Sequence, residues 1–159
     1  MPHIHEKIDF TVEVFIVHNG KVLLRKHDKY NIWLSVGGHV ELEHDPIETA
    51  HKEVQEEVGL EITLVDVTNS AVRNFQDEVQ TLIAPRFMNR HRITDQHEHI
   101  SLLYFATTEN PTVRQDDNSS ERVSDDQCRW LTAEEVMALD DCPENIKYYA
   151  TVALAEVGE

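Results

Sequence analysis

The chain has 159 residues, which predicts one domain with a real core, since about 150 residues is typical of one. Lys and Arg number 14 against 30 Asp and Glu, a formal charge of −16, which argues against a nucleic-acid scaffold or an anionic membrane as the main partner. Two cysteines, Cys128 and Cys142, are too few for a disulfide framework and suit a reducing compartment. No apolar run approaches the roughly 18 residues of a membrane span, and residues 1–9 lack the apolar centre of a signal peptide. Composition therefore predicts a soluble, cytoplasmic single domain over residues 1–159.

Phe10, Val12, Val14 and Ile16 alternate with Thr11, Glu13, Phe15 and Val17, the pattern of a strand with one strongly apolar face. Asn19-Gly20 separates it from the apolar run at 21–25, and an Asn-Gly pair between two such runs predicts a hairpin. Ile32-Trp33-Leu34 leads into Ser35-Val36-Gly37-Gly38. The paired glycines predict a turn with a backbone shape that other residues resist. Asp45, Pro46 and Glu48 then read as N-cap, first helical residue and capping-box acid, and Gly59 as the stop of that helix.

Residues 60–71, rich in β-branched and apolar side chains, read as strand, and so, on a fainter pattern, do 79–84. Residues 100–106 are apolar on both faces, which predicts a central buried strand. Residues 109–127 hold six acidic and two basic residues and almost nothing apolar, as expected of a long exposed loop. A short strand follows at 128–131. Thr132 and Glu135 form a capping box for a short helix through Leu139, and 141–144 cap a last helix. There Ile146, Tyr149, Ala150, Ala153, Leu154 and Val157 make an amphipathic stripe. The order of strands, helix, strands and helices predicts an α/β or α+β fold with a mixed sheet between helices.

The chemistry concentrates in residues 37–60. On a helix turning 100° per residue, Glu56 lies about −60° and Glu57 about +40° from Glu53, so three carboxylates share one arc of about 100°. That arc borders the stripe of Ile47, Ala50, Val54 and Val58, which puts it at the edge of a cleft. A solvated acidic face is the plain alternative in so acidic a chain. Crowded carboxylates otherwise repel and would protonate, a penalty that a hard divalent cation such as Mg²⁺ removes.

With Gly38 upstream and Gly59 beyond, this segment resembles the signature of the Nudix hydrolases. Gly38, Glu53, Val54, Glu56, Glu57, Gly59 and Leu60 match it in register. Trp33-Leu34 and Trp130-Leu131-Thr132 are similar to the family as well. Two positions depart: His44 stands where the signature has Glu, and Lys52 where it has Arg. That pair usually braces the loop against the helix, so Glu43, Asp45 or Glu48 is the expected substitute partner of Lys52. The resemblance implies an α/β/α sandwich with a central mixed sheet. It also implies hydrolysis of a nucleoside diphosphate linked to another moiety.

The same resemblance implies Mg²⁺, or Mn²⁺, held by the Gly37 carbonyl, Glu53, Glu56 and Glu57, with Glu53 either a ligand or the base. Glu98 is a candidate further ligand or base. Arg73, Arg86, Arg90 and Arg92 are candidate phosphate contacts, with Arg73 and Arg86 favoured. Trp33 and Tyr30 are candidates to stack a base, core packing being the better account of Trp33. His97 and His99, spaced two apart, are compatible with a transition metal, although ten histidines make such a spacing easy to meet by chance.

Phe75 and Gln76 stand where the ADP-ribose branch carries a Pro, and Asp77 and Glu78 where the dinucleoside polyphosphate branch carries a Tyr. By elimination the expected substrate is a nucleoside or deoxynucleoside triphosphate, cleaved to monophosphate and pyrophosphate. A nucleotide sugar is the alternative substrate. A nucleotide-binding module with little turnover is the alternative outside enzymes. The expected partner is a small-molecule nucleoside diphosphate derivative, with neither nucleic acid nor membrane, and a homodimer is left open.

Overall fold

The structure, a computed structural model, describes residues 4–69, 75, 79–114 and 127–158. Its sheet begins with the hairpin of β1 (Ile8–His18) and β2 (Lys21–Lys26), in which Val17 faces Val22 and His18 faces Lys21. Asn19 and Gly20 turn the chain at φ 48° and 73°, the two positive values that a type I′ turn requires. β3 (Trp33–Leu34) pairs with β2, and β4 (Val36–His39) runs antiparallel to β1.

β7 (Glu98–Thr107) lies beside β1 and runs parallel to it, from the Ile8–Glu98 pair to the Val17–Thr107 pair. β5 (Thr63–Leu64) and β6 (Phe87–Arg92) pair antiparallel with β7, and β8 (Cys128–Leu131) with β2. The result is a mixed sheet of eight strands among the described residues.

Both faces of the sheet are covered. On one, α1 (Pro46–Val58) packs Ala50, Val54 and Val58 on Val12, Val14, Ile16 and Tyr104. On the other, α2 (Ala133–Met137) contributes Val136, and α3 (Glu144–Val157) contributes Ile146, Tyr149, Ala150 and Ala153. These cover Phe15, Val17, Leu24 and Phe105. This is the expected α/β/α sandwich. Phe15 meets the rings of Phe105 and Tyr149 edge-on, at centroid distances of 6.3 and 6.0 Å. β1 is therefore apolar on both faces in its second half, not on one face along its length, and Phe10 near its start is 47% exposed.

Three local expectations change. Of residues 60–71 only Thr63–Leu64 form a strand among those described, and 79–84 are irregular. The strand of this region is β6, whose side chains are mostly exposed and polar on both faces. An edge strand held by backbone bonds to one neighbour needs no apolar alternation. Gly37 and Gly38 lie inside strand β4 rather than in a turn, and neither has a positive φ. Of the loop expected at 109–127, residues 115–126 lie outside the described residues. In its first part, Trp130 Nε1 donates to the Pro111 carbonyl at 3.0 Å and the Arg114 N–H donates to the Val58 carbonyl at 3.0 Å.

Candidate active site

The helix that carries the acids is framed as its sequence predicts. Asp45 Oδ1 accepts the Glu48 N–H at 2.8 Å, Pro46 opens the first turn, and Gly59 closes the last at φ 67°. These caps satisfy orphan backbone groups at both ends and set the helix bounds, while the stripe of Ala50, Val54 and Val58 decides which face turns inward. That face buries Glu53 and Glu57, at 2% and 8% exposure, along with the apolar stripe. Glu56 stays half-exposed beside Lys52, with Oε1 3.9 Å from its Nζ.

β4 receives these carboxylates because it has no side chains in the way. A Cβ on Gly38 would lie 2.4 to 2.7 Å from the carboxylate atoms of Glu53. A Cβ on Gly37 would lie 2.0 Å from the Val12 carbonyl oxygen. The Gly37 N–H instead donates to Glu57 Oε2 at 3.3 Å, and Arg25 Nε lies 3.3 Å from the same oxygen. Close approach, and not an unusual backbone angle, is why both positions are glycine.

Around them lies a cleft of about 420 Å³ lined by Gly37, Gly38, Glu53 and Glu57, with Glu13, Arg25, His39 and His99. A larger cavity of about 510 Å³ sits at the far end of α1, around Gly59 and Thr107, and holds none of these acids. Glu13 stands on the polar first half of β1, opposite Gly37, where Ser35 Oγ donates to it at 3.2 Å. Burial pushes its carboxyl above the usual range, against the hydrogen bonds of Ser35 and Ser101. The His99 imidazole is pushed down to about 4, by burial first and then by His39, His91 and His97.

Not every candidate from the sequence reaches this cleft. Gly37, Glu53 and Glu57 are brought together there, with Glu56 at the helix surface beside them. Glu98 is not: strand neighbours face opposite ways, and His99 and Ser101 take the cleft side. Glu98 pairs with Arg90 instead, whose hydrogen bonds hold its carboxyl below the usual range. Arg86 lies over the Phe87 ring and binds Glu156 of α3 at 2.7 Å, also outside the cleft lining. Arg92 is exposed on β6, and Arg73 lies outside the described residues.

Tyr30 lines the cleft at 56% exposure, while Trp33 is core at 6%. Sequence reading missed Glu13 and Arg25. Their signal was a charge set within apolar runs, Glu13 between Val12 and Val14 and Arg25 after Leu23-Leu24.

The departed brace is also replaced, by a residue the sequence did not single out. Lys52 Nζ lies 3.2 Å from Glu41 Oε2, and His44 Nδ1 lies 3.9 Å from that oxygen. Burial alone would lower the Lys52 ammonium, but the Glu41 hydrogen bond and the charges of Glu56, Glu41 and Glu53 raise it. Because Glu41 already serves Lys52, the double change His44→Glu with Lys52→Arg should show little coupling, under about 0.5 kcal/mol in a urea-unfolding cycle. Coupling near 1 kcal/mol or above would mean that Glu41 does not fill the role.

A family model of the NUDIX domain matches residues 9–152. Among curated proteins, the m7GpppN-mRNA hydrolase NUDT17 of Xenopus laevis is 30% identical over 138 residues. That match takes in 80% of this chain, and the chain spans 42% of that protein's length. Among solved structures, a Nudix-family hydrolase from Clostridium perfringens is 31% identical with a TM-score of 0.74, covering 92% of this chain and 96% of its own. The Ap4A hydrolase of C. elegans shares the fold at 14% identity and a TM-score of 0.56, covering 93% of each chain. With a NUDIX-domain match over most of its length and a Nudix-family hydrolase 31% identical to it, this chain belongs to the Nudix hydrolase family.

Proposed function

We propose that this chain is a divalent-metal-dependent pyrophosphohydrolase. Its substrate is a nucleoside diphosphate linked to another moiety, most simply a nucleoside or deoxynucleoside triphosphate cleaved to monophosphate and pyrophosphate. The observation that carries the reading is the burial of Glu53 and Glu57 against Gly37 and Gly38 in a cleft that also holds Glu13. Three acids facing one arginine make an electrostatic environment that is costly without a cation.

The donor set is oxygen throughout, which fits Mg²⁺ or Mn²⁺. Glu53, Glu56, Glu57 and the Gly37 carbonyl would hold the ion, which when bound supplies charge neutralisation for the anhydride. Glu53 either joins in holding it or takes the proton of the attacking water. The water oxygen bonds to one phosphorus, the bridging P–O bond breaks, and the departing phosphate keeps the electron pair. Arg25, already beside Glu57, is placed to orient a phosphate oxygen, and Tyr30 offers an exposed ring at the cleft to a base.

A second reading has its own support. The Xenopus relative is named for mRNA cap hydrolysis, so a capped nucleotide is a candidate substrate; the net charge of −16 stands only against a long RNA chain attached to it. The test is a panel of triphosphates, ADP-ribose, Ap4A and m7GpppG with Mg²⁺, products resolved by anion-exchange chromatography. The triphosphates are expected to give monophosphate and pyrophosphate at the highest kcat/KM. Preference for m7GpppG would favour the second reading, and no product from any member would leave a binding module.

Chelator-stripped protein should be inactive, and Mg²⁺ or Mn²⁺ should restore turnover. Full activity in excess chelator would remove the metal from the reaction. The ion should also raise the melting temperature, by linkage worth about 2.7 kcal/mol at one hundred times its Kd. An unchanged melting curve in saturating Mg²⁺ would count against a preformed site.

A further inference from the structure

We propose that Asp9, His39 and His99 form a second metal site, for a first-row transition ion such as Zn²⁺, distinct from the carboxylate set on α1. The inference goes beyond the hydrolase reading and stands without it. Three strands assemble the group. Asp9 of β1 pairs in register with His99 of β7, and His39 of β4 pairs with Thr11, two residues along β1 on the face that Asp9 shares.

One ligand atom from each of the three lies within 4.8 Å of the other two. Asp9 Oδ2 and His39 Nε2 are already 3.4 Å apart, close to the roughly 3.4 Å that separates donors about 2.0–2.1 Å from a tetrahedral ion. The His39 and His99 rings stand edge to face at 4.9 Å between centroids.

The surroundings are those of a ligand set. Asp9 is fixed from behind, its oxygens accepting the backbone N–H of Ile4 at 3.1 Å and of His5 at 2.7 Å. His97 sits beside it with Nδ1 2.9 Å from the Glu6 carbonyl oxygen. A carbonyl only accepts, so Nδ1 carries the hydrogen, and Nε2 is the atom turned toward Asp9 Oδ2 at 3.3 Å. An imidazole whose far nitrogen is tied to a backbone carbonyl is the arrangement that orients metal-bound histidines. His97 thus supplies a further nitrogen next to the site.

Two imidazoles and a carboxylate favour zinc, cobalt or nickel over magnesium, whereas the oxygen-only set on α1 suits magnesium. Because His39 and His99 line the same cleft as Glu53 and Glu57, an ion here would pin β4, which carries Gly37 and Gly38, to β1 and β7.

The competing account is a buried Asp–His hydrogen-bond network that binds no metal. The test titrates the full chain, stripped of metal and then saturated with Mg²⁺, with Zn²⁺ against a chromophoric chelator. One tightly bound equivalent is expected. Asp9→Asn, His39→Asn and His99→Asn should each weaken it about 100-fold, on the scale set by perturbing metal-site residues. His44→Asn, His51→Asn and Glu57→Gln should leave it unchanged.

Equal weakening by His44→Asn or His51→Asn, or no tight equivalent at all, would overturn the site. Loss with Glu57→Gln would place the zinc on α1 instead and equally overturn it. Should the Asp9 or His39 variants fail to fold, X-ray absorption of the zinc-loaded native chain still decides. At least two imidazoles in the coordination shell support the site, and none or one refutes it. A failed nucleotide panel leaves all of these outcomes untouched, so the two readings fail separately.

Discussion

Glu53→Gln and Glu57→Gln are each expected to lower turnover by at least about 10²-fold, the low end for loss of a positioned acid–base group. Both changes keep the shape of the side chain and remove its charge. Glu53 is 2% exposed and lies against Gly38, so an amide there fills the same space but neither binds a hard cation well nor accepts a proton. Glu57 accepts the Gly37 N–H and neighbours Arg25, and Gln keeps an oxygen for one of them. The fold should therefore survive both changes, as circular dichroism and urea unfolding can check. Glu61→Gln, three residues past the end of α1 and exposed, is the control and should be nearly silent. Steady-state kinetics with saturating Mg²⁺ reads all three. Equal losses would point to overall charge and not to the cleft.

Gly37→Ala and Gly38→Ala should fail in opposite ways although they are neighbours on one strand. At Gly37 the new methyl would meet the Val12 carbonyl oxygen at 2.0 Å and the Glu13 Cα at 3.1 Å. Those are backbone atoms of the central strand, so β4 must part from β1. The expected cost is about 3 kcal/mol or more, seen as a lower urea midpoint or as insoluble protein.

At Gly38 the three nearest atoms all belong to the Glu53 carboxyl group. A side-chain end can swing aside where a backbone cannot, so the fold should hold. Displacing that carboxylate should nonetheless cost turnover on the scale of Glu53→Gln. A Gly38→Ala enzyme with full activity would mean that the present seat of Glu53 is not its working position.

Legibility in the sequence followed the range of the interaction. Asn19-Gly20, Asp45-Pro46 and Gly59 were readable because each acts on backbone a few residues away. Glu53 and Glu57 were readable because helical spacing puts them on one arc with the apolar stripe. The glycine pair could be found, but its reason could not, since the atoms that exclude a methyl come from β1 and α1. Glu98 and His99 show the limit most directly. A strand reverses face at every residue, and only the pairing with β1 decides which neighbour turns to the cleft. Arg86 looked available for phosphate until α3 brought Glu156 to it. β6 carries no apolar alternation, so nothing local announces it.

The parallel pairing of β1 with β7 also governs when the cleft can exist. Thr11 Oγ1 and Ser101 Oγ meet at 2.8 Å across 90 residues of chain. β1 with its hairpin and α1 with its caps are local structures that can form early, whereas closing so long a loop is a late and slow event. During synthesis the acids of α1 therefore emerge well before the strand that completes the cleft beside them. Until β7 docks, Glu53 and Glu57 belong to a solvated helix, and Asp9 has no His99 beside it. The cleft that Glu53, Glu57 and His99 line is therefore complete only once β7 has joined the sheet.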